Sequence, residues 1–162
     1  MGSGPLYASR SREVLTLCLV AIILFAPNFA TSAAEDSILY YVQLIRGTDS
    51  NVPEDSKWQP IGERLSQKLQ SVFRWKNYWE VSRQQVTVKK GKASRTRLTK
   101  EREIEIEFVA AETTEIRLIR NGVLTRKTRG SKETRLRILG GDKDGEESWF
   151  VVVRRDEPQA PK

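Results

Sequence analysis

Histidine is absent from the 162 residues, and cysteine occurs once, as Cys18 within an apolar stretch near the N-terminus. If that stretch is removed on export, the mature chain holds neither residue. Disulfides, Cys or Ser/His nucleophile systems, Cys/His zinc sites and His-ligated haem or copper are then all excluded. Most hydrolase and redox schemes go with them, and no cofactor is expected. Long apolar runs are also scarce: the longest, Val14 to Ala26, is well short of the roughly 20 residues that span a bilayer.

That run has the layout of a secretory signal peptide. Arg10 and Arg12 precede it, and Pro27 and the small residues Ala30-Thr31-Ser32-Ala33-Ala34 follow it. The reading is therefore a cleavable leader over residues 1–34, a single domain over 35–156 and a disordered tail over 157–162, in a protein that is periplasmic or secreted. An uncleaved anchor is disfavoured by the length of the run and by Pro27. A lipidated Cys18 is disfavoured because Leu17 precedes it and the apolar run continues beyond it. Cleavage removes two basic side chains and one acidic one, so the net charge of +7 falls by one. A chain of this length suits one modest core and leaves no room for two enzyme-sized units.

Downstream, Ile38 to Arg46 is rich in β-branched and aromatic residues and reads as a central strand ending at Gly47. Thr48 to Gln59 carries turn formers. Pro60 then stands where a helix can begin, with Ile61, Leu65, Leu69, Val72 and Phe73 on one face and polar residues between them. After Phe73 the parity of the apolar positions changes between Val81 and Val86, which places a bulge at Gln84-Gln85. From Leu98 onward Ile104, Ile106 and Phe108 alternate with Glu103, Glu105 and Glu107, a half-buried strand. Asn121-Gly122 joins two short strands as a hairpin. Arg135 to Leu139 and Trp149 to Arg155 make a terminal hairpin across a long loop, Gly140 to Ser148. The expected architecture is α+β: one amphipathic helix packed on a curved, mainly antiparallel sheet of about six to seven strands.

Two basic blocks stand out. Lys89 to Lys100 holds six basic residues and no acidic one, and Arg126 to Arg137 holds six with one. Lys89, Lys90, Lys92, Arg95, Arg97, Arg135 and Arg137 are the candidate polyanion-binding residues, since clustered cations attract phosphate or acidic glycan. The competing account pairs them across strands with the glutamate row that follows. Trp75, Tyr78 and Trp79, interleaved with Arg74 and Lys76, are candidates for stacking a flat ligand, against a role in closing the end of the core. Asp142, Asp144, Glu146 and Glu147 superficially suit Ca²⁺, but the ligand spacing fails and strand-like segments flank them, so no metal site is assigned. Asp49, Glu54 and Asp55 are read as turn and capping groups rather than a catalytic pair. Gly91-Lys92-Ala93-Ser94 lacks the upstream glycine of a phosphate loop.

With no catalytic group named, the chain is expected to be a small non-catalytic binding or envelope-assembly domain. Its partner would be a protein or an envelope polymer, met for instance along an exposed edge strand, with nucleic acid disfavoured by export. The alternative is an electrostatic binder of acidic glycan or nucleic acid through the basic hairpins.

Overall fold

A computed structural model describes residues 1–2, 37–51, 54, 56–73 and 75–159, with the side chains of 141–144 excepted. The chain divides into two units, Met1–Ala34 and Glu35–Lys162, and every helix and strand among the described residues lies in the second. The leader expected over 1–34 lies almost wholly outside the described residues.

The domain is α+β, with nine strands and one helix among the described residues. In chain order these are β1 (Ser37–Thr48), β2 (Gln59–Pro60), α1 (Glu63–Phe73), β3 (Asn77–Lys89), β4 (Ser94–Arg97), β5 (Arg102–Ala110), β6 (Thr113–Arg120), β7 (Val123–Ser131), β8 (Leu136–Asp144) and β9 (Glu147–Arg154). Where one sheet of six to seven strands was expected, there are two, of order β2-β3-β1-β9-β8 and β4-β5-β6-β7. The chain leaves the first sheet after β3, runs β4 to β7 as an antiparallel meander, and returns to set the β8–β9 hairpin beside β1.

The five-stranded sheet is covered on both faces, which accounts for the near-continuous apolar character of β1 and β9. Toward the second sheet it presents Tyr40, Val42, Leu44, Val86, Val88, Val151 and Val153, which pack with Ile104, Ile106, Ile116 and Leu118. On its other face Ile45, Tyr78, Phe150 and Val152 receive Ile61, Leu65 and Leu69. Each such side chain taken fully from water contributes on the order of 2 kcal/mol, so these two layers are the fold's main source of stability.

The helix starts later than Pro60, which lies in β2 and pairs with Trp79 of β3. The carbonyl of Gly62 accepts from the backbone N–H groups of Leu65 and Ser66, both at 3.1 Å, and so begins the first turn. Phe73 closes the last turn with its ring 4.5 Å from that of Phe150, while Val72, expected on the buried face, is 66% exposed. Among the described residues no helix is long and apolar enough to cross a membrane.

The bulge in β3 falls at Val81 rather than at Gln84-Gln85: Leu44 pairs with Ser82 and Ile45 with Glu80, leaving Val81 without an opposite residue. The parity change that signalled a bulge is therefore real, but it occurs earlier. It carries Tyr78 to the helix face and Val86 and Val88 to the face between the sheets. Asn121-Gly122 forms its hairpin with positive φ at both residues, 50° and 78°. The long loop expected over Gly140 to Ser148 is instead strand on both sides of a tight turn at Gly145-Glu146. Gly140 and Gly141 belong to a bulge, with Gly140 opposite Phe150 and Asp142 opposite Trp149. At the C-terminal end Pro158 is buried, and the carbonyl of Gln159 lies against Gly62.

Candidate functional site

The candidate cations go to four different places. Arg95 and Arg97 in β4 stand on the outer face of the four-stranded sheet and bind Glu103 of β5 at 2.5 and 3.2 Å. The hydrogen bond from Arg95 is the main reason that the Glu103 carboxyl is held below the usual range. Alongside them Arg117 of β6 reaches Glu105 at 2.5 Å, Glu107 at 3.1 Å and Glu115. Glu115 also takes Lys127 at 3.1 Å and Arg129 at 2.5 Å, and it is covered to 1% exposure. That concentration of donors, Arg129 foremost, pulls its carboxyl down to about 2. The outer face is thus a lattice of matched charges.

Arg137 of β8 turns the other way. Its guanidinium donates to the Thr114 carbonyl at 3.3 Å and to that of Ser131, tying the edge of one sheet to the other, and burial pushes its pKa down. Arg135 is exposed beside Glu133, Arg155 and Asp156. Lys89, Lys90 and Lys92 form the last group, exposed at the end of β3 and in the turn that follows.

Nor do the three stacking candidates share a surface. Tyr78 is buried under the helix, its hydroxyl accepting from the Trp75 backbone N–H at 3.3 Å, and burial raises its pKa. Trp75 lies over Gly47, so closely that a Cβ there would come within 2.6 Å of the indole Cδ1. Trp79 sits opposite Arg46 in the ladder, with Trp149 opposite Arg46 on its other side. The Arg46 guanidinium is 4.6 Å from the Trp58 ring centroid and pairs with Glu147, while that of Arg102 is 4.3 Å from the Trp149 ring. These stacked rings and cations plug one end of the space between the sheets. The cavity left beside Trp149 and Arg102 is about 20 Å³, room for about one water.

Among the described residues the opposite end is open. There the start of β1, the β3–β4 turn, the β5–β6 turn and the β7–β8 connection surround a groove of about 430 Å³. Its apolar wall is Ile38, Phe108, Val109, Ala110 and Ala111, and its rim carries Lys90, Glu112 and Lys132. Ile38 and Phe108 are continuous with the core between the sheets. A bulge shapes the wall, because Phe108 pairs with Thr114 and Ala110 with Thr113, leaving Val109 unpaired and 37% exposed. Lys132 is held at the rim twice, its backbone N–H donating to the Glu112 carbonyl and its Nζ pairing with the Glu112 carboxylate, each at 2.9 Å. Lys90 forms no ion pair among the described residues.

No known protein family, curated protein or solved structure matches the chain.

Chemically, the groove offers dispersion contacts and desolvation along one wall and, among the described residues, the charged groups Lys90, Glu112 and Lys132 at its rim. Asp49, one of the carboxylates read as turn formers, accepts from the Lys76 backbone N–H at 3.0 Å, well away from these residues. Of the groove, only Lys90 stood among the candidates from sequence. The signal for the rest was the point at which alternation fails after Phe108, where Val109-Ala110-Ala111 puts three apolar residues in succession at a strand end.

Proposed function

We propose that the chain is a small, exported, non-catalytic binding domain whose contact site is the groove between the open ends of its two sheets. The observation that carries this reading is the groove itself: about 430 Å³ with an apolar wall and the polar side chains of Ser37, Lys90, Glu112 and Lys132 around it, inside the roughly 300–1,000 Å³ typical of ligand pockets. Its position supports the reading too, since three interstrand connections and the start of β1 meet there, the usual arrangement for a binding surface. Export rests on the leader pattern in residues 1–34.

Two other contact modes have less support. An edge strand taking up a partner strand meets obstacles at β7 and β8, one edge of each sheet. β7 bulges at Thr125 and carries Arg126, Lys127 and Arg129, and β8 bulges between Gly140 and Asp142, both of them devices that guard edges. Polyanion binding through the basic hairpins is weakened by the commitment of Arg95 and Arg97 to Glu103 and of Arg137 to backbone carbonyls.

The test is titration of the protein, in the form its cells accumulate, with the apolar dye 1-anilinonaphthalene-8-sulfonate. Saturable one-to-one fluorescence enhancement is expected, weakened at least tenfold by Ala110→Trp with the urea midpoint unmoved. Absence of saturable binding, or binding indifferent to Ala110→Trp, sinks the groove as the site.

A further inference from the structure

We infer that the occupant of this groove is a single-chain amphiphile with an anionic head, its alkyl chain along Ile38, Phe108 and Val109 and its carboxylate or phosphate at the rim. The inference rests on the groove reading and adds the ligand's chemistry to it. Three observations lead to it.

The wall of Ile38, Phe108, Val109, Ala110 and Ala111 is hydrocarbon and runs into the core between the sheets, so it rewards an occupant in proportion to apolar surface, and the one polar side chain lining the groove besides the rim groups is Ser37. The rim groups are two lysines and one glutamate, and the glutamate is already held by Lys132. Among the described residues Lys90 is then the rim cation with no ion-pair partner, and one anionic head would supply it. A cationic head would instead meet Lys90 directly, and a neutral one would leave it unanswered. Finally, the site is a strip alongside a bulged strand end rather than a closed chamber, with Val109 partly in water at its mouth. Such a site suits a chain lying lengthwise with its polar end outside.

The test is calorimetric titration of the same protein with dodecanoate and dodecyl phosphate, with decanoate as a shorter chain and dodecyltrimethylammonium as a cationic counterpart, all below their micellar concentrations. One-to-one binding of at least one anionic dodecyl ligand is expected. Each methylene should contribute about a fourfold gain in affinity, so dodecanoate should exceed decanoate by more than tenfold. Lys90→Glu should weaken the anion at least tenfold, and Lys90→Arg should restore it. The tighter of the two anionic arms separates a carboxylate source from a phosphate headgroup. Equal binding of dodecyltrimethylammonium, or indifference to Lys90→Glu, overturns the anionic amphiphile. So does failure of every dodecyl ligand while the dye still binds at the groove, and in these cases the groove reading survives. If Ala110→Trp disturbs folding, Ala111→Trp is the blocking variant, and amphiphile binding unaffected by a folded blocking variant overturns the assignment.

Discussion

At Gly140 the backbone takes a φ of 137°, and a Cβ there would lie 2.4 Å from the Trp149 carbonyl oxygen and 2.8 Å from the Phe150 Cα. Both obstacles are main chain, so no side-chain rotation relieves them. Gly122, in the hairpin turn, has φ of 78° and nothing within 4 Å of its Cβ position. The two glycines are thus required for different reasons, one by sterics and conformation together and the other by conformation alone. Gly140→Ala should cost about 3–5 kcal/mol and Gly122→Ala about 1–2 kcal/mol, read as the shift in urea midpoint at constant slope. Equal losses would mean that the β8 bulge relaxes around an added methyl, and the close approach to β9 would then not be what holds it.

Among the elements, the helix is held by a stripe narrower than its apolar content. Leu69 is fully buried, Leu65 and Ile61 nearly so, and Phe73 reaches Phe150, whereas Val72 stands in water. Leu69→Ala should therefore cost about 2–5 kcal/mol through lost transfer and a cavity above the sheet, and Val72→Ala should stay within about 0.5 kcal/mol. A comparable loss at Val72 would show that it is covered in solution. Much of this level was legible beforehand, because helix face, the β5 alternation and the Asn-Gly turn are local patterns with fixed periods. The division into two sheets was not. An inward face reads the same whether it meets a helix or another sheet, so the alternation of Ile104 and Ile106 carries no information about what covers it. The β3 bulge was detectable only as a change of parity, and any position between Val81 and Val86 satisfies that change; the observed register puts it at Val81. Gly140-Gly141 looked like a loop because glycine serves loops and bulges alike. The groove was the least legible, since residues 37–38, 90–91, 108–112 and 132 are separated by stretches whose path is set only by the assembled sheets.

For the molecule as a whole, an excess of basic residues coexists with a face on which the charges are matched. The glutamates at its centre are the groups through which acid should act. Glu115 is drawn down to about 2 by Arg129, Lys127 and Arg117, and Glu103 is lowered by Arg95 and Arg97. A carboxylate whose pKa is depressed in the folded state binds protons more readily when unfolded, so it adds stability above its unfolded value. That value is about 4.5 for glutamate. The contribution is lost as pH falls from there through the folded value near 2. The domain should accordingly keep its urea midpoint from pH 7 to about 5 as far as these groups are concerned, then lose stability steadily toward pH 2. Glu115→Gln removes the hub charge and leaves Arg117, Lys127 and Arg129 facing one another. The variant should be less stable than the parent at pH 7, lose stability less steeply below pH 4.5, and approach the parent as pH falls to about 2, where Glu115 is half protonated in the folded state. Midpoints measured at half-unit intervals decide it. A gap between the two proteins that stays constant from pH 7 to pH 2 would mean that Glu115 acts through packing under the three long side chains and not through its charge.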